Sequence, residues 1–231
     1  MEFLETFYTK FVPIFLFTVM VAMGLALTVD NLLEVFRKPK ALLTGLCAQM
    51  LLLPAIAIGF GFLFDSPPVI AAGAIILAAC PGGITSNAYV FAARADVALS
   101  IGLTAVASFI TVFSVPFLTL LALNLHMDRT EIPVLPALDM MSTLAKLTIL
   151  PVALGMTFRR LRPATAQRMI EPLRVLTLVA LIVIVVIGTV NAWDTIVENL
   201  WTAGVLMTAI NLTAMSCGYG LGKAARLPFP Q

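Results

Sequence analysis

The sequence predicts an all-α fold, a polytopic transmembrane helix bundle of about seven spans, and three observations lead there. The first is composition: of 231 residues 61% are hydrophobic and only 11% charged, with a mean hydropathy of +1.05. A soluble domain carries about 25% charged residues. So few charges cannot cover a water-facing surface, so lipid must surround most of the chain. The second is run length, because the apolar segments approach or exceed the roughly 20 residues a helix needs to cross a 30 Å hydrocarbon core. They lack the alternation of barrel strands. The third is the placement of the few charges between those runs.

The expected spans are Phe11–Thr28, Ala41–Leu63, Val69–Ala93, Val97–Leu123, Pro136–Phe158, Val175–Val190 and Leu200–Gly222. Alternating the loops puts Arg37, Lys38, Lys40, Arg94, Arg159, Arg160, Arg162, Arg168, Arg174, Lys223 and Arg226 on one side, 11 of the 14 basic residues. The positive-inside rule then places the C-terminus in the cytoplasm and the N-terminus outside, in the cytoplasmic (inner) membrane. Residues 159–174, basic and holding Pro163 and Pro172, read as the longest cytoplasmic loop. Glu2 and Glu5 stand where a cleavable signal would be basic, so none is expected. The whole chain, 1–231, reads as a single membrane domain.

Net charge is +2 with no basic patch, which excludes nucleic acid as a partner. Cys47, Cys80 and Cys217 lie in apolar stretches without metal-ligand spacing and read as small buried hydrophobes. His126, the sole histidine, is expected in an external loop. With no intramembrane acidic pair and no Ser–His pairing, neither catalysis nor an organic cofactor is expected.

The third span is interrupted. Val69–Ala79 runs into Cys80-Pro81-Gly82-Gly83, followed by Ile84-Thr85-Ser86-Asn87. Proline and paired glycines at membrane depth break a helix, and the freed backbone groups need protein or a wet cavity. The first half-helix ends in carbonyls that suit a cation. The second begins near Thr85 or Ser86 with N–H groups that suit an anion. A structural kink is the alternative, and the polar Ser86 and Asn87 beside the break favour binding.

In the next span Ser100 and Thr104 share one helical face at i, i+4. Two hydroxyls, the Asn87 carbonyl and free backbone carbonyls make a neutral oxygen cage for a hard cation. Helix-internal bonding is the competing role for such hydroxyls. Gln49 is either interhelical glue or part of a second cation site. Lys146 either pairs with an anion or snorkels. Asn211 and Thr213, with Gly218, Gly220 and Gly222, read as a close-packing face.

Cys80–Asn87, together with Ala93-Arg94-Ala95-Asp96-Val97-Ala98-Leu99-Ser100, resembles the bile acid:sodium symporter family. Met23–Leu27, Arg37–Lys40 and Gln49 fall where that family has similar residues, so the resemblance covers nearly the whole chain. It implies an inverted-repeat transporter with a panel and a core domain, in which two broken helices cross. It implies one sodium site at Ser86, Asn87, Ser100 and Thr104, with Gln49 a ligand of a second. Pro81, Gly82, Gly83 and Thr85 would form the substrate-facing break. On the family pattern of ten spans, residues 11–123 match the second to fifth spans and 136–222 the sixth to eighth. The last two, with a second crossing helix carrying Glu-x-Gly-x-Gln-Asn, would be absent, as in a chain truncated at both ends. The resemblance implies sodium-coupled symport of an organic anion, bile-acid-like or a small carboxylate, with sodium as the coupling ion. The alternative class is a non-transporting membrane fragment or assembly subunit. Expected partners are the lipid bilayer, the anion and sodium, with oligomeric state open.

Overall fold

The structure is a computed structural model that describes residues 7–28, 33, 35–82, 84–126 and 136–226, and of residues 84, 85, 87, 88 and 137 the backbone alone. Among the described residues there are no strands. The helices are α1 (Phe7–Ala26), α2 (Pro39–Leu63), α3 (Pro68–Ala79), α4 (Ile84–Ala92), α5 (Val97–His126), α6 (Ala137–Leu161), α7 (Pro163–Asn191) and α8 (Trp193–Ala224). All but α3 and α4 are long and apolar enough to cross a membrane. The chain is a multi-pass, all-α membrane protein.

Proline opens several helices. Pro39, Pro68 and Pro163 begin α2, α3 and α7, where the missing N–H is no loss and the fixed φ suits the first turn. That effect corrects one expectation. Residues 159–174 are no loop: α6 continues to Leu161 and α7 restarts at Pro163, with only Arg162 between. Pro172 is taken up inside α7. His126 likewise ends α5 instead of lying in a loop, its ring 4.7 Å from that of Phe62.

The helices group into two compact units, Met1–Thr28 with Ser142–Glu198, and Val29–Met141 with Asn199–Gln231. In the first, α1 packs along α7 and crosses α6 at a pair of glycines. A Cβ on Gly24 would run into the Val152 carbonyl, and one on Gly155 into the Val21 carbonyl and the Leu25 nitrogen. Backbone therefore meets backbone, the contact small residues permit in membranes. Arg159 of α6 completes the joint by donating through Nη1 to the carbonyls of Leu25 (2.6 Å) and Ala26 (2.9 Å). These are the orphan acceptors at the end of α1.

In the second unit the alanine-rich α3 lies against α2 and α5. Ala72, Ala74, Ile75 and Ala78 meet Ala57 of α2, Ala122 of α5 and Leu206 and Ile210 of α8 in one buried cluster. At 1.5 Å per residue, α3 is about 18 Å long and α4 about 14 Å, so neither crosses a bilayer alone.

Two further expectations are corrected. Cys47 and Cys80 are exposed and Cys217 half-buried, all as free thiols: Cys47 stands on a face of α2 that the described residues leave open, and Cys80 lies in the extended segment after α3. Among the described residues no neighbouring helix comes near where a Cβ would stand on Gly218, Gly220 or Gly222, and Asn211 bonds within its own helix to the Met207 carbonyl.

Candidate functional site at the helix break

The break lies where expected. α3 stops at Ala79, and Cys80 turns extended (φ −69°, ψ 148°), so the chain leaves helical geometry one residue before Pro81. Pro81 and Gly82 are non-helical, and helix resumes at Ile84. The last carbonyls of α3 and the first N–H groups of α4 thus flank one short segment, with opposite polarity.

Three side chains converge there. The position a Cβ would take on Gly82 lies 3.6 Å from Gln49 Nε2, 3.8 Å from Ser86 Oγ and 3.9 Å from Thr104 Oγ1. A methyl-sized cradle is therefore bounded by an amide and two hydroxyls from α2, α4 and α5. A half-turn about the Gln49 Cγ–Cδ bond brings Oε1 where Nε2 now sits, so all three can present oxygen. Neutral oxygens around a small cradle fit a hard cation such as sodium. Thr104 is buried, and Ser100 lies half-buried one turn before it. Gly83 and the side chains of Thr85 and Asn87 lie outside the described residues. Gln49, expected as glue or in a separate site, stands at the same cradle as Ser86 and Thr104. Lys146 is exposed on α6.

The hydroxyl face of α5 extends further than the sequence suggested. Ser108 donates to the Thr104 carbonyl at 2.8 Å and Thr111 to the Ser108 carbonyl at 2.9 Å, both residues buried. Their i+4 and i+7 spacing from Thr104 was the available signal. These two bond back into their helix, the ordinary fate of a membrane hydroxyl.

The segment joining α4 to α5 is tightly built. Arg94, at φ 54°, closes α4, with the Ala95 N–H donating to the Val90 carbonyl and the Arg94 N–H to that of Phe91. Asp96 then caps α5, its Oδ1 accepting from the Leu99 N–H at 3.0 Å. Lys38, just before α2, reaches Asp96 Oδ2 at 2.5 Å. The Lys38 hydrogen bond, helped by the Leu99 N–H, holds the Asp96 carboxyl below its usual range. The starts of the two helices that carry Gln49 and Thr104 are thereby joined.

The family model for the sodium bile acid symporter family matches residues 13–199. The chain belongs to that family. It is 30% identical over 234 residues to a protein of Bacillus subtilis named as the uncharacterized sodium-dependent transporter YocS, covering 98% of this chain and 69% of that protein. It is 26% identical to the ileal sodium/bile acid cotransporter of Homo sapiens, over 94% of this chain and 61% of the relative. It is 35% identical to the probable sodium/metabolite cotransporter BASS1, chloroplastic, of Arabidopsis thaliana, over 52% of this chain and 32% of that protein. The chain thus spans from about two-thirds down to one-third of the length of these relatives.

Proposed function

We propose that the protein is a sodium-coupled symporter of organic anions, a secondary transporter with the chain's N-terminus outside and its C-terminus in the cytoplasm. The observation that carries this is the convergence of Gln49, Ser86 and Thr104 on the Gly82 cradle. Ser100 and Asn87 complete the oxygen set. The α3 carbonyl end adds negative potential for the cation, and the α4 N-terminus, with Thr85 and Gly83, offers N–H groups to the anion. One break thus holds both partners of a symport cycle, so each ion's field favours the other's binding. The sodium-dependent and cotransporter names of the relatives support the same reading. The grouping of α1, α6 and α7 apart from α2–α5 supports a panel and a core of the kind the family implies. Bile acids and small carboxylates are the substrate classes to try first.

The test is uptake into liposomes carrying the complete gene product, with bile acids and small carboxylates offered in turn under an inward sodium gradient. Thr104→Ala and Asn87→Ala should each raise the half-saturating sodium concentration. One lost buried polar interaction costs about 1–3 kcal/mol, or roughly five- to a hundredfold in affinity. Uptake with the same rate in potassium as in sodium would refute the coupling.

A further inference from the structure

The long helix α2 is not uniform. Ala48–Leu52 forms a π-turn in which the Leu53 N–H reaches back five residues to the Ala48 carbonyl. Such turns hold one residue more than the α-helix and are costly, so they persist where something requires them. Two features of α2 require this one.

The first is the spacing of its inward positions. Upstream, Leu42 is buried, Gly45 sits against the Leu103 side chain, and Gln49 stands at the Gly82 cradle, in steps of three and four. Downstream, Pro54, Ala57 and Gly61 are buried in the same steps. Between Gln49 and Pro54 the step is five. In an unbroken α-helix a five-residue step would put Pro54 about 140° around the axis from Gln49. The π-turn absorbs the extra residue and keeps both stripes on the inward side of α2, the first against α5 and the second chiefly against α3.

The second feature is Pro54. It has no N–H, and its ring clashes with the carbonyl four residues earlier in regular helix. Leu53 is already committed to Ala48, so Pro54 leaves the Gln49 carbonyl without a main-chain donor at i+4 or i+5. Regular α-helix here would lose the Pro54 hydrogen bond and crowd its ring against the Met50 carbonyl, so Pro54 favours the π-turn over an unbroken helix.

We infer that Pro54 is a positioning residue: it locks the π-turn, and the π-turn aims Gln49 into the cation cradle. This rests on the proposed role of Gln49 in sodium binding. The experiment measures the half-saturating sodium concentration for uptake by the complete gene product in liposomes, and the sodium-induced rise in its melting temperature in detergent. The variants are Q49A, P54A, Q49A/P54A, and P54A combined with deletion of Leu51. Leu51 is 68% exposed, so its loss removes little packing, and its deletion restores a four-residue step.

Q49A should raise half-saturating sodium on the order of tenfold, the size of one lost polar ligand. P54A should match it, the double substitution should be no worse than Q49A alone, and the deletion in the P54A background should restore native sodium dependence. A purely structural proline would instead shift melting without sodium and leave the half-saturating concentration alone. Native sodium dependence in P54A with Q49A impaired, additive effects in the double variant, or a well-folded deletion variant that stays impaired would each overturn the inference. Should the deletion variant fail to reach the membrane, the Q49A–P54A cycle decides. A Q49A protein with native sodium dependence would overturn the role of Gln49 itself, and the inference with it.

Discussion

Gly155→Ala tests whether the first unit is held by direct backbone contact. The added methyl would lie 2.8 Å from the Leu25 nitrogen, 2.9 Å from the Gly24 carbonyl carbon and nearer still to the Val21 carbonyl oxygen. All of these are main-chain atoms, so no side chain can swing away and α1 must move from α6. A gap of 0.5–1 Å forfeits about a quarter to a half of each dispersion contact along the crossing. Overpacking of this kind costs about 1–3 kcal/mol, and a site with no flexible neighbour belongs at the upper end. Gly24→Ala breaks the same crossing, so the double variant should cost scarcely more than the worse single one. Among the described residues Gly204 of α8 has no neighbour near its Cβ position, and Gly204→Ala should be neutral or stabilising by up to about 1 kcal/mol. The assay is the thermal midpoint of each purified variant in one detergent. An unchanged midpoint for Gly155→Ala, or simple addition with Gly24→Ala, would refute the close crossing.

Arg159→Ala should lower the midpoint by removing both Nη1 hydrogen bonds from the end of α1, while Arg159→Lys, which keeps the charge but not the rigid planar placement of the donor, should restore only part of it. Asp96 has a depressed carboxyl pKa, so its contribution is present above the unfolded carboxylate value of about 3.9 and is lost as pH falls through the lower folded value. Because the pair with Lys38 is substantially exposed, Lys38→Met should cost at most about 1 kcal/mol, and less at high salt. A larger, salt-independent loss in the pH 5–8 midpoint would contradict that.

The sequence disclosed most of what rests on short-range rules. Pro81 and Gly82 mark the break because proline and glycine disrupt a helix wherever they stand, and Ser100 and Thr104 share a face by spacing alone. The π-turn was out of reach, since a five-residue step between Gln49 and Pro54 has meaning only once both stripes are known to face inward. Gln49 joined the same cradle as Ser86 and Thr104 for that tertiary reason. Residues 159–174 misled because basic residues and two prolines resemble a loop, although proline at a first helical position starts a helix as readily as it ends one. Gly218, Gly220 and Gly222 misled because small residues permit close packing without supplying a partner.

Filling the cradle at Gly82 probes the proposed cation site itself. Gly82 has no positive φ, and an added methyl would meet Gln49, Ser86 and Thr104 only at 3.6–3.9 Å, so alanine fits without clash. It would nevertheless occupy the space between the oxygens that the cation needs. Radioactive sodium binding to the complete wild-type protein and to Gly82→Ala, in the same detergent, should show saturable binding in the first. In the second, affinity should fall at least about tenfold, equivalent to 1.4 kcal/mol, while the sodium-free melting temperature stays the same. Native sodium affinity in Gly82→Ala would contradict a cation site at this break.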